Sequence, residues 1–334
     1  MEEEYLSDIS FVIVAKNEEF GINKCLGSLK TMPLIDCEVI CVDSGSDDST
    51  LEVMKGFADS LLGVRIYKCS GYSNSAISRN IGIQNASKNL VFFIDGDIEV
   101  DFNFIKISHD FVKRGDCDVI TGQLAEIYYD ESYLREVRRV KDRFRINKQT
   151  DVYYSGGCFM ANRSILTAVG LFDERMERNQ DIDFTLRLSR YGHFIAIPVS
   201  MGIHHTQEYN HRPRYFIQNR FPMFFGMLIR KNIDRPRALI ALMKQNRGIL
   251  IGMLLYGFIF MYVIGEMLCF AGLNLLFFVI IFFIIAADIV NCLVLKKNIA
   301  NQFLVHYINP LFVAAGIFFD HSRDDKVSIV EQVF

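Results

Sequence analysis

The sequence predicts an α/β protein built on a doubly wound sheet, followed by C-terminal transmembrane helices. Three observations carry this. Short apolar, strand-forming runs alternate with helical patterns from Phe11 to Val100. The run Leu90–Ile94 ends in two aspartates, Asp95 and Asp97, with Gly96 between them. Two long apolar runs, Ile249–Leu268 and Phe270–Leu295, lie in the last third of the chain.

Phe11–Ala15 reads as a first buried strand, since it is apolar throughout and two-face burial removes the polar alternation. It ends in Lys16-Asn17-Glu18-Glu19, followed by a helical pattern through Leu29 with Ile22, Cys25, Leu26 and Leu29 on one face. Glu38–Val42 is a second strand, running into the polar turn Asp43-Ser44-Gly45-Ser46-Asp47-Asp48-Ser49-Thr50. That turn is rich in helix N-cap residues, and a helix to about Leu62 follows it. Val64–Tyr67 is a third strand, Asn74–Ala86 a helix carrying Arg79 and Asn80, and Leu90–Ile94 a fourth strand. Ligands of open α/β sheets gather at the carboxyl ends of the strands. Asp95 and Asp97 at such an end offer hard oxygen ligands to a divalent cation, Mg²⁺ or Mn²⁺. The competing reading is an ordinary acidic turn.

Composition narrows the function further. The net charge is −3 with no long basic run, so nucleic acid is not an expected partner. No G-x-G-x-x-G follows the first strand and no G-x-x-x-x-G-K-[ST] occurs, which disfavours dinucleotide and P-loop sites. The 8 cysteines form no C-x-x-C pair, and most sit in apolar runs as expected of reduced thiols. MEEEYLSD carries no signal-peptide pattern, so the domain that follows is expected in the cytoplasm.

Four motifs occur in order: Asn17-Glu18 after the first strand, VDSGSDDST after the second, SRNIG on a helix, then FFIDGD. Together they resemble the inverting glycosyltransferases of family 2, from about Ser10 to His205. The resemblance implies a GT-A-type mixed sheet and a nucleotide-diphosphate sugar donor. Asp43 then stands where a carboxylate accepts from a base or ribose, its alternative being an Asx-turn. Arg79 presents a planar fork to a diphosphate or base carbonyl, or is a solvated helix residue. Asn17, Glu18 and Asp95 join them as candidate nucleotide-sugar contacts.

Beyond Asp97, Phe102–Val112 reads as a helix, Asp118–Tyr128 as a strand and Tyr133–Asn147 as a charged, exposed helix. That last segment is either a solvated face or a surface for anionic lipid or a lipid-phosphate acceptor. Ser155-Gly156-Gly157 and Gly170-Leu171-Phe172-Asp173-Glu174 resemble the family's acceptor-side strand and turn. In Asn179-Gln180-Asp181 the family's usual Glu is replaced by Gln180, while Asp181 is retained at the position of the catalytic base. A histidine after the strand Phe194–Ile197 completes the metal shell in the family. Here His204 and His205 compete, and His205 joins Asp95 and Asp97 in the expected metal set.

Residues 211–247 read as an amphipathic interfacial segment, 248–320 as two or three transmembrane helices and 321–334 as a tail, after a catalytic domain at 1–210. Gln218-Asn219-Arg220-Phe221 departs from the Q-x-x-R-W of processive synthases, so one sugar is added per event. The expectation is therefore a multi-pass membrane protein of the inner or plasma membrane with a cytoplasmic catalytic domain. It transfers a sugar to a lipid-linked saccharide or polyprenyl phosphate in envelope polysaccharide or glycoconjugate synthesis, with Asp181 as general base. The alternative is a catalytically impaired, nucleotide-sugar-binding membrane scaffold subunit, motivated by Gln180.

Overall fold

A computed structural model describes residues 6–58, 63–208, 221–246, 254–255, 258, 309–318 and 328–334. The chain divides into two compact units, Met1–Glu208 with Ser322–Phe334, and Tyr209–His321.

In the first unit, β1 (Ile9–Ala15), β2 (Glu38–Asp43), β3 (Val64–Gly71) and β4 (Leu90–Asp95) run parallel, in the spatial order β3-β2-β1-β4. Helices α1 (Glu19–Lys30), α2 (Thr50–Ala58) and α3 (Ser75–Asn85) connect them. After Asp97 come β5 (Ile98–Val100), α4 (Phe102–Lys113), β6 (Val119–Tyr129), β7 (Glu136–Val140), β8 (Thr150–Asp151), β9 (Phe159–Asn162), α5 (Arg163–Val169), α6 (Gln180–Tyr191) and β10 (Phe194–Gln207). Antiparallel β9 joins β4 to β6, and β10 lies parallel to β6, so the sheet is mixed.

The strands are apolar on both sides because both sides are covered. Phe11 and Ile13 pack with Ile22, Cys25 and Leu26 of α1 and Met54 of α2, while Phe104 and Ile105 of α4 belong to the same core. Val12 and Val14 face Ala76, Ile77 and Ile81 of α3 and the Phe159–Phe184 cluster on the opposite side. Phe172 and Phe184 stack at 3.8 Å between centroids, with Phe93 edge-on to both.

Two sequence expectations are corrected here. The charged segment Tyr133–Asn147 is not a helix: it contains β7, which pairs antiparallel with β6. A stretch of exposed charges has no apolar period to hold it helical, and the open edge of β6 supplies backbone partners. Phe20 of α1 stacks on Tyr133 at 4.7 Å and stands edge-on to Tyr129, which docks this arm on the domain. The strand at Phe194 runs on to Gln207, past register irregularities at Ala196–Ser200 and Ser200–Ile203, so both histidines lie within a strand. Within the C-terminal stretch, β11 (Ser328–Gln332) adds antiparallel to the edge of β3.

In the second unit, helices span Phe221–Lys231, Pro236–Gln245 and Asn309–Phe318. The expectation of a multi-pass membrane protein is corrected. No helix among the described residues is long and apolar enough to cross a membrane. In the third apolar segment, the helix Asn309–Phe318 has only 10 residues. Most of the runs 249–268 and 270–295, and Gln218–Arg220 of the processivity comparison, lie outside the described residues.

Candidate active site

The site is built at the carboxyl ends of β1, β2 and β4, where the apolar strands give way to polar turns. After β1 the chain turns through Asn17 in the left-handed region, φ 55°. The Asn17 amide donates to Ser46 Oγ at 2.9 Å, and its side-chain oxygen accepts from the Asp47 amide at 2.8 Å. The Glu18 amide donates to Thr50 Oγ1 at 2.8 Å. The two loops thus brace one another, and Asn17 spends its carboxamide oxygen on that brace.

Asp43 is fully buried and accepts from the Ser46 amide and hydroxyl. This is the Asx-type turn weighed from the sequence, formed at the residue proposed to face the nucleoside. Behind it, Ser44 Oγ and Ser78 Oγ share a hydrogen bond at 2.5 Å, which ties the turn to α3.

Arg79 points from α3 into this end of the sheet and is 4% exposed. Its Nη2 donates to Asp95 Oδ1, and its guanidinium carbon lies 5.6 Å from the Phe172 ring centroid. Nη1 is buried with no hydrogen-bond partner among the described residues. Asn80 beside it holds the Gly170–Glu174 turn, accepting from the Phe172 amide at 2.8 Å and donating to Glu174 Oε1 at 2.8 Å. Gly157 crosses directly over the Arg79–Asp95 pair. A Cβ there would come within 2.5 Å of both Arg79 Nη2 and Asp95 Oδ2, so the close crossing requires glycine.

Asp97 is anchored through its backbone. Its carbonyl accepts from the His205 amide at 2.8 Å, and Gly21 of α1 packs so tightly that a Cβ would lie 2.6 Å from Asp97 Cα. Its Oδ2 meets His204 Nε2 at 2.8 Å, while Oδ1 is buried without a partner among the described residues. Glu18 is drawn into the same cluster. Burial and the repulsion of Asp97 and Asp95, against an opposing pull from His204, push its carboxyl up to about 8. Burial disfavours charge on His204, but Asp97 and Glu126 outweigh it and raise the ring to about 10.

The two adjacent histidines of the expected metal set are placed differently. His205 is buried, with Nε2 2.9 Å from Glu99 Oε2 and Nδ1 3.0 Å from the Tyr129 hydroxyl. His204 is the histidine whose side chain reaches Asp97, because neighbouring side chains on a strand point to opposite faces. The adjacent pair was visible in the sequence; the choice between them depends on strand register. Glu126 of β6 had no sequence signal at all.

Asp181 stands in the first turn of α6, half-buried, with its Oδ1 accepting from the Ile182 amide at 2.9 Å. Burial and the Asp95 charge raise its carboxyl, against an opposing pull from Arg79. A Cβ on Gly156 would lie 3.7 Å from Asp181 Oδ2, one residue before the Gly157 crossing over the Arg79–Asp95 pair. Gln180 is buried, and its Oε1 has no partner among the described residues. Asp183 pairs with Arg187 at 3.0 Å, four residues on.

Among the described residues, no group of three or more His, Cys, Asp or Glu side chains is arranged to hold a metal ion by itself. A Mg²⁺ or Mn²⁺ held by one or two carboxylates and completed by phosphate oxygens needs no such group. The unpartnered Asp97 Oδ1 and the acid-rich surroundings fit that donor set.

Residues 10–170 match the family described as Glycosyl transferase family 2. Over 199 residues the chain is 22% identical to Glycosyltransferase AglE of Haloferax volcanii, covering 56% of this chain and 63% of that protein. Over 122 residues it is 32% identical to the Poly(ribitol-phosphate) beta-glucosyltransferase of Bacillus spizizenii, covering 36% of this chain and 19% of that one. The chain thus spans less than two thirds of these relatives. Among solved structures, residues 1–349 of S. aureus TarS in complex with UDP-GlcNAc share the fold. The TM-score is 0.52 at 16% identity, over 68% of this chain and 72% of that one. The mixed α/β sheet is therefore GT-A-like, and residues 10–170 match a glycosyl transferase family 2 domain.

Proposed function

We propose that the protein is an inverting, metal-dependent, non-processive glycosyltransferase that uses a nucleotide-diphosphate sugar. The observation that carries this is the convergence of Asp97, whose buried Oδ1 lacks a partner among the described residues, with Glu18, Asp95, Arg79 and Asp181 at one end of the sheet. Related proteins add support: a solved TarS structure holds UDP-GlcNAc, and named relatives are glycosyltransferases.

In this reading the turn from Asp43 to Ser46 and the unpartnered Nη1 of Arg79 receive the nucleoside and a phosphate oxygen. Asp95 and Asp97, with His204 in reach, would hold Mg²⁺ or Mn²⁺, which when bound neutralises charge on the leaving diphosphate. Asp181 takes the proton of the acceptor hydroxyl as that oxygen bonds the anomeric carbon. The bond from that carbon to the diphosphate oxygen breaks on the opposite side, so the configuration inverts. The raised carboxyl of Asp181 suits a base that must receive a proton. The acceptor is a lipid-linked saccharide or a polyprenyl phosphate. The basic residues Arg135, Arg138 and Arg139 on the β6–β7 arm suit a phosphate-bearing molecule, and one relative is named Cholesterol galactosyltransferase.

The second reading, a subunit that binds nucleotide sugar without turnover, is favoured by Gln180 alone. A panel of nucleotide sugars with a polyprenyl-phosphate lipid extract, with and without Mn²⁺, separates the two. Metal-dependent transfer from one donor, abolished in Asp181→Asn with donor binding retained, is expected. Donor binding with no release from the parent protein would establish the second reading.

A further inference from the structure

We propose that Glu126, clamped by Arg143 and Tyr128, is a positioning residue that fixes the ring of His204 toward Asp97 and so sets the affinity of the divalent-cation site. This rests on the metal-dependent reading above. β6 and β10 run parallel with His204 directly opposite Glu126. Glu126 is 6% exposed, and among the described residues three side chains hydrogen-bond its carboxylate. Oε1 accepts from His204 Nδ1 at 3.3 Å and from Arg143 Nη1 at 2.7 Å, while Oε2 accepts from the Tyr128 hydroxyl at 2.7 Å. Arg143 is anchored in turn, its amide donating to the Leu124 carbonyl at 3.0 Å. A carboxylate held this way cannot swing aside without leaving a buried charge unpaired.

Glu126 accordingly controls the tautomer of His204. A neutral imidazole carries one N–H and one lone pair. Without a cation, Nε2 also donates, to Asp97 Oδ2 at 2.8 Å. A cation that took the place of that proton would find the remaining one held on Nδ1 by the fixed carboxylate and Nε2 free to ligate. Outer carboxylates that orient metal-binding histidines change metal affinity by about 10–100-fold when removed. His205 lacks this arrangement, because Glu99 and Tyr129 occupy its two nitrogens away from Asp97.

The test is Mn²⁺ binding to the full chain without donor, followed by loss of the free-ion paramagnetic resonance signal, with thermal midpoints recorded alongside. Glu126→Ala is expected to weaken Mn²⁺ binding about 10–100-fold. Glu126→Gln keeps an acceptor for Nδ1 and is expected to recover part of that loss, and His204→Ala to lose most of the binding. Glu126→Gln guards against misfolding, as it preserves shape and packing. Parent-like Mn²⁺ affinity in folded Glu126→Gln and Glu126→Ala, with binding lost in His204→Ala, would overturn the role of Glu126 while leaving the metal site standing. Parent-like binding in His204→Ala, or no binding by the parent protein, would overturn both.

Discussion

The two ends of the central strands each bury acids, and they treat them oppositely. At the amino end, Glu38 opens β2 beneath Ser10 of β1. Its Oε1 accepts from Ser10 Oγ at 2.5 Å and the Ser87 amide at 2.6 Å, and its Oε2 from Arg65 Nη2 at 2.5 Å and Ser87 Oγ at 3.0 Å. Burial works against its charge, but these donors more than offset it and the carboxyl is lowered. At the carboxyl end, a buried Asp97 oxygen and Arg79 Nη1 have no partner among the described residues, and Glu18 is pushed up to about 8. The satisfied cluster contributes to holding the sheet together. The unsatisfied one costs stability and leaves donors and acceptors available to a ligand, the pattern expected of a functional site.

The sharpest way to break this contrast is at Asp181. Asp181→Asn should lower transfer about 1000-fold, the range of a general base, with the thermal midpoint unchanged. A midpoint that falls along with activity would make Asp181 structural. Asp97→Asn should lower transfer about 100-fold or more and abolish the response to added Mn²⁺, without lowering the midpoint, because it removes one charge from a crowded acid cluster. Destabilisation there would erase the difference between the two ends.

Glu38→Gln should do the converse. Loss of charge-assisted hydrogen bonds should cost about 2 kcal/mol in denaturant unfolding, with activity per folded molecule unchanged. The smallest effect is its pH dependence. The folded carboxyl of Glu38 lies below its unfolded value of 4.5, so its contribution is present above that pH and is lost as pH falls through the folded value. The stability gap between the parent protein and Glu38→Gln should therefore narrow on acidification below about pH 4.5. A gap that widens would mean the fold favours a protonated Glu38.

Much of the parallel half was legible because its signals are local. The continuous apolar runs at Phe11, Val39 and Leu90 need no partner to be recognised, and Asp43 and Asp95 end strands where a turn must follow. The antiparallel half was not. The charged arm that became β7, the extension of β10 past Pro198 and the C-terminal β11 are all held by pairing with distant strands. Their sequences do not record that pairing. Glu38 was read only as the start of a strand, because its partners Ser10, Arg65 and Ser87 are separated from it in sequence by other elements.

The order of strands and helices in the parallel half, the chemistry gathered at their carboxyl ends and the likeness to family 2 follow from residue types and spacing, which act over a few neighbours. Which histidine meets Asp97, which carboxylate holds that histidine and which acids are left without partners follow only from register between β5, β6 and β10. A shift of one residue along a strand turns each side chain to the other face, so composition and motif alone do not decide it.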